Sequence, residues 1–159
     1  MFMSSPSSRI VERAFTAFAG HDREQIAAVL TEDAEWLSYP DNPSVAVLGG
    51  THHMVGREAV VAFFAEDFPR LYTRDVGVTV HAIHADGDRV VTELTMTATL
   101  ADGRPYTNDF CFVFELRDGL IHRAREYVDT ARGLRMVEGV VPAEGTPGAA
   151  PGAGAGGAG

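Results

Sequence analysis

One stretch limits the possible folds more than any other. Tyr106, Asn108, Phe110, Phe112 and Phe114 recur at every second position, so in an extended strand all five share one face. Arg117-Asp118-Gly119 follows as a turn, and Leu120 to Asp129 then runs without Gly or Pro. The segment from Asp102 to Thr130 therefore reads as a β-hairpin.

Loop length decides which side chains share a face. A two-residue Asp-Gly loop sets Phe114 opposite Arg123 and Phe112 opposite Arg125. A three-residue loop with Gly119 left-handed sets Phe114 opposite His122, Phe112 opposite Ala124 and Phe110 opposite Glu126. The second register is expected, because the first lines an aromatic face with guanidinium groups. It puts Glu126, His122 and Asn108 on the aromatic face, and Asp109, Glu115, Arg123 and Arg125 on the other. A carboxylate, an imidazole and an amide among phenyl rings are costly unless paired. Such a group is either a satisfied core network or a site.

The chain has 159 residues, enough for one domain and a tail. A formal net charge of −9 leaves no basic stripe to meet phosphate, so nucleic acid is not an expected partner. All 13 basic residues are Arg, which removes lysine Schiff-base chemistry. The single Cys111 excludes an internal disulfide or a cysteine-rich metal site. It falls on the non-aromatic face and reads as packing. The start MFMSSPSSR has no apolar leader core, and no run approaches 18 apolar residues. No membrane segment and a cytoplasmic location are the default expectation.

Residues 1–8 are polar and expected to be flexible. Ile10, Val11, Ala14, Phe15, Phe18 and Ala19 recur at helical spacing up to Gly20. Asp22 can cap a second helix with Ile26, Ala27, Val29 and Leu30 as its buried stripe. Ala34 to Tyr39 reads as a short strand stopped by Pro40-Asp41-Asn42-Pro43, Val45 to Leu48 as a second short strand, and Thr51 to Gly56 as a loop. Arg57 to Phe68 predicts a third helix closed by Pro69. From Tyr72 onward the pattern is β, with turns at Asp86-Gly87-Asp88 and Ala101-Asp102-Gly103. Residues 139–159, nearly all Gly, Ala and Pro at their end, are expected to be a disordered tail, leaving 9–138 as the domain. Helices grouped ahead of a meander imply an α+β fold.

With these segments in view, the chain resembles the SnoaL-like polyketide cyclases and the wider ketosteroid-isomerase-like, nuclear transport factor 2-like superfamily. The resemblance rests on Ala19 to Trp36, Gly56 to Phe64, Asp102 to Ile121 and Arg125 to Asp129. It implies a cone-shaped α+β barrel, with three N-terminal helices packed in the concave face of a curved, mainly antiparallel sheet, and often a homodimer. It also implies an enclosed pocket for a small apolar substrate or ligand and cofactor-free acid–base chemistry. The steroid-isomerase positions are not reproduced. Ser38-Tyr39-Pro40 stands where those enzymes place their base, with Asp41 slightly later. Ala14 or Phe15 stands at their tyrosine, and Phe110 at their oxyanion-hole acid. The cyclases are similar in placing an acid–base carboxylate near the last strand, and Glu126 and Asp129 fit that position.

Glu126 is the leading catalytic candidate: an apolar wall raises a carboxyl pKa toward the range of a general base. The competing reading is a structural ion pair with His122. Asp129, a second catalytic candidate, equally suits the N-cap of a terminal helix. His122 is a third, or a hydrogen-bonded core residue. Asn108 could donate to a carbonyl oxygen. Tyr106 and Tyr39 could orient a ligand, His53 could stand at a pocket mouth, and Trp36, Phe64, Phe110, Phe112 and Tyr72 could form the wall. His52-His53 lacks a third ligand on a rigid element, and His81 and His84 point to opposite faces, so no metal is expected. No cofactor is expected. Two other function classes compete with an enzyme: a small-hydrophobic-ligand-binding or dimerising module without chemistry, and a partner-binding protein using the outer sheet face.

Overall fold

The computed structural model describes residues 4–145. Helix α1 spans Pro6–Gly20; Ser5 caps it by accepting the Ser8 N–H at 3.1 Å, and Pro6 occupies its first turn. It thus takes in three residues of the segment expected to be flexible. Asp22 caps α2 as expected, but α2 stops after Arg23–Ala27. Strand β1 begins at Leu30 and runs Leu30–Leu37, so Leu30 belongs to a strand and not to a helical stripe. Pairing decides this: Leu30 lies beside Ile121 in a parallel ladder, and such tertiary contact overrides local propensity.

Three further expectations are corrected between Pro40 and Leu71. Val45 to Leu48 is helical, within α3 (Pro43–Leu48), capped by Asn42 with Pro43 in the first turn. The loop Thr51 to Gly56 contains strand β2 (His53–Val55), antiparallel to β1. The single helix Arg57 to Phe68 is three pieces: α4 (Arg57–Ala62), a π-helical turn (Phe63–Asp67) and α5 (Phe68–Leu71). Pro69 lies in the first turn of α5, where its missing N–H is tolerated, so it does not close the helix.

Long strands β3 (Tyr72–Asp86), β4 (Arg89–Leu100), β5 (Pro105–Arg117) and β6 (Leu120–Val128) follow. The sheet order is β2-β1-β6-β5-β4-β3. The fold is α+β with a curved six-stranded mixed sheet. It is open, with β2 and β3 as edges, and so is not a closed barrel. On β4, Val90, Thr92, Leu94, Met96, Ala98 and Leu100 are all buried, as their alternation predicts.

The hairpin register differs from the expected one. Asp118 (φ 52°) and Gly119 (φ 76°) form a two-residue loop, and Arg117 pairs with Leu120. A bulge then makes His122 the extra residue, because Leu116 faces Ile121 while Glu115 faces Arg123. Beyond it Phe114 pairs with Ala124, Phe112 with Glu126 and Phe110 with Val128. The expected pairing is therefore displaced by two residues. An even displacement preserves faces, so Glu126 still shares the aromatic side. The bulge satisfies the objection to the short loop, since it turns Arg123 and Arg125 away from the phenylalanines.

Helix α1 lies in the concave face: Phe15 meets Phe112 and Phe114 edge-on at 5.8 and 5.7 Å. Helix α6 (Thr130–Val137) closes the other end. Its Gly133 lies so close to Pro43 and to Asn108 that a Cβ would overlap both. Beyond α6 the chain stays packed: Val140 is buried, and Ala143 and Arg70 exchange two hydrogen bonds. The expected disorder thus does not begin at residue 139, and residues 146–159 lie outside the described residues.

Candidate active site

Between α1, the π-helical turn, α5 and the concave sheet lies a cavity of ≈ 80 Å³. Its walls are aromatic and aliphatic, with Phe15, Phe18, Trp36, Phe64, Phe68, Phe110, Phe112 and Met96 among them. Trp36 anchors the cluster, touching Phe18, Phe64 and Phe112 at ring-centroid distances of 5.5, 4.9 and 5.7 Å. The π-helical turn helps present Phe63 and Phe64. His21, left-handed at the end of α1, donates from Nδ1 to the Phe64 carbonyl at 2.7 Å and ties the turn to α1.

Glu126, Ser44 and Tyr72 are the wall residues that carry a carboxyl or hydroxyl group. Glu126 enters from β6 beside Phe112. Asn42 donates its amide to Glu126 Oε2 at 2.7 Å. Glu126 keeps intermediate exposure, as a wall residue must. Its carboxyl is nevertheless packed tightly enough that desolvation pushes its pKa up to about 7, against the smaller lowering effect of the Asn42 bond. Among the described residues no Arg or His lines the cavity, so none of them holds the carboxylate ionised.

A polar chain leads away from this point. Asn42 Oδ1 accepts the Ser44 N–H at 2.9 Å. The Ser44 and Tyr72 hydroxyls are 3.2 Å apart. The Tyr72 ring lies 5.0 Å from that of Tyr106, and burial pushes both phenols up. Asn108 donates to the Tyr106 hydroxyl at 3.1 Å and to the Asp129 carbonyl at 3.0 Å.

Of the residues singled out from the sequence, Glu126, Trp36, Phe64, Phe110, Phe112 and Tyr72 come together here. The others do not. The bulge sends His122 to the rim, with Nδ1 3.4 Å from Thr31 Oγ1 and 3.6 Å from Asp33 Oδ1. It makes no pair with Glu126, so that competing reading finds no contact. Asp129 caps α6 by accepting the Arg132 N–H at 3.1 Å. Asn108 and Tyr106 are buried behind the wall, both engaged in the chain just described. Tyr39 is exposed against Tyr127, and His53 pairs with Glu35 on the surface at 3.2 Å. Sequence reasoning missed Asn42 and Ser44. Their signal was the run Asn42-Pro43-Ser44, a helix start of cap followed by proline, which was read only as a stop.

The model of the SnoaL-like domain matches residues 11–124. The chain belongs to the SnoaL-like domain family. A comparison with curated proteins finds no match. Among solved structures, an NTF2-like protein of unknown function from Burkholderia pseudomallei is similar at TM-score 0.73 and 22% identity, covering 85% of this chain and 99% of its own. A candidate SnoaL-like polyketide cyclase from Jannaschia sp. CCS1 is similar at TM-score 0.68 and 18% identity, covering 87% and 98%. A protein of ketosteroid-isomerase-like fold from Catenulispora acidiphila, crystallised with trimethylamine, is similar at TM-score 0.65 and 18% identity, covering 80% and 90%. The SnoaL-like, NTF2-like fold is thus shared with one protein assigned as a cyclase and with one holding a small ligand. The family match ends two residues before Glu126 and does not extend to its role. Among the described residues no helix is long and apolar enough to cross a membrane.

Proposed function

We propose that the protein is a cofactor-free acid–base enzyme of cyclase, isomerase or dehydratase type, acting on a small apolar carbonyl compound of polyketide-like chemistry, with Glu126 as its base. The observation that carries this reading is one carboxyl, held near pH 7 by desolvation, in a cavity walled by rings. A base with such a pKa is ionised often enough to accept a carbon-bound proton and acidic enough to return it. Ser44 and Tyr72 line the same space, and in this reading a hydroxyl of that pair donates to the carbonyl oxygen as it gains charge. Asp129 and His122 have no part in this reading, because their side chains lie outside the cavity. A homodimer in the cytoplasm is the setting we propose; the exposed Val78, Val80 and Tyr127 offer apolar surface for a second copy.

The test is a pH–rate profile on any accepted carbonyl substrate. In the wild type kcat/KM should rise with pH through about 7, where the base ionises. Glu126→Gln should lose about 10²- to 10⁴-fold, the usual contribution of a general base. A Gln variant with undiminished turnover overturns the assignment. The second reading is ligand binding without chemistry. One observation favours it: Asn108, the amide expected to polarise a carbonyl, is spent behind the wall. Retained ligand affinity with no turnover on any carbonyl compound would select it.

A further inference from the structure

Carboxylates inside proteins are almost always paired, and among the described residues Glu126 meets no cation. Its Oε2 takes the Asn42 amide, while Oε1 has no hydrogen-bond partner among the described residues. The charged groups nearest in its own strand are committed elsewhere. Arg123 donates to Glu35 from Nε and Nη2, and His122 stands at Thr31 and Asp33. Arg125 is among the groups acting on Tyr39, outside the cavity. From the facing elements the titratable groups are Tyr72 and Tyr106, phenols that burial keeps neutral. The α1, π-turn and α5 walls contribute phenylalanines and no charge.

Most of the cavity that Glu126 lines is walled by rings. Phe112 is the cross-strand neighbour of Glu126. It stacks on Phe110 at 5.7 Å and meets Trp36 at 5.7 Å. Aromatic faces carry negative potential and attract organic cations, most strongly in a desolvated site. A carboxylate lacking a counter-charge, inside an aromatic box, has the two elements such a cation requires.

We propose that this cavity binds small alkylated ammonium ions, the positive centre seated between Glu126 Oε1 and the rings of Trp36, Phe110 and Phe112. The cavity's ≈ 80 Å³ holds on the order of six water-sized groups, which suits a tetramethylammonium head. This rests on Glu126 being the working group of the cavity, as in the function proposed above, but it needs no chemistry. Binding is linked to ionisation: a cation stabilises the charged carboxylate, so its arrival releases a proton from Glu126 wherever that group is protonated.

The experiment is calorimetric titration of the full chain at constant ionic strength, at pH 5.5, 7.0 and 8.5. The probes are tetramethylammonium chloride, choline chloride and 3,3-dimethylbutan-1-ol, the uncharged carbon analogue of choline. Cation affinity should climb by about tenfold per pH unit up to about 7 and then level off. Choline should bind about tenfold or more tightly than its neutral analogue above pH 7. Glu126→Gln should lose about tenfold or more in cation affinity and all of the pH dependence, with little change for the alcohol. Trp36→Phe, which keeps a ring, should weaken the cation only a few-fold. Equal affinity for choline and the alcohol, or no cation binding in wild type, overturns the proposal. So does cation binding in Glu126→Gln that still follows pH. If cations fail to bind but Glu126→Gln still abolishes turnover, the ligand class falls and the acid–base reading stands. If cations bind and that variant turns over normally, the reverse holds.

Discussion

Glu35 and Glu126 lie on neighbouring strands of one sheet and behave as opposites. Glu35, on the outer face, pairs with Arg123 across the β1–β6 ladder and accepts from its Nε and Nη2 at 3.1 and 2.9 Å. Arg123 holds the Glu35 carboxyl below its usual range, with His53 helping. Glu126, three residues after Arg123 and on the inner face, has one neutral donor and is raised to about 7. The same side chain is thus a surface ion on one side of the sheet and a half-protonated acid on the other. The pleat decides which: an odd step along β6 turns a carboxyl from guanidinium groups to phenylalanines.

The largest way to break this contrast is to open the wall. Phe112→Ala removes a buried ring that touches Phe15, Trp36, Phe110 and Phe114, and should cost about 3–5 kcal/mol in chemical denaturation. Water admitted beside Glu126 should also move the rising limb of the pH–rate profile to lower pH. An unchanged limb would mean that Phe112 does not supply the desolvation.

The next largest effect is on stability against pH. A carboxyl raised from 4.5 to about 7 leaves folding unpenalised below 4.5, where both states are protonated. Its penalty grows between 4.5 and 7 as only the unfolded chain ionises, and is constant above, at about 3 kcal/mol. Glu126→Gln should therefore match the wild type at pH 4 and exceed it by up to about 3 kcal/mol at pH 8. Denaturation curves at the two pH values check this.

Gly133→Ala tests the support behind the site. The new Cβ would overlap Pro43 Cγ and stand 2.8 Å from Asn108 Nδ2, so about 1–3 kcal/mol should be lost to overpacking. Because Pro43 follows Asn42, the donor to Glu126, the pH profile should shift as well as the Tm. The smallest effect belongs to Glu35→Gln, less than about 1 kcal/mol for a solvent-screened pair. It should appear only above the range where Glu35 protonates and vanish in acid, because a lowered carboxyl pKa stabilises the fold only while the group is charged. Turnover should not change.

Much of the fold was legible because it depends on short periods. The alternation on β4 and β5 marked the buried faces, Asp22 marked a helix start, and the inward direction of Glu126 survived a wrong loop length because the bulge made the net displacement even. What failed was whatever distant partners decide. Leu30 left its helical stripe for a ladder with Ile121, and the bulge that expelled His122 is invisible to a count of alternating residues.

The linear chain, by itself, determined that Phe110, Phe112 and Phe114 would share one face of a strand, since side-chain direction in a strand alternates with position. Only the tertiary structure decided that the bulge would turn Glu126 onto that face, that Asn42, 84 positions away, would meet it, and that no cation among the described residues would. The last two facts depend on how α3 docks beside the sheet, and docking is set by packing between surfaces that no local pattern encodes.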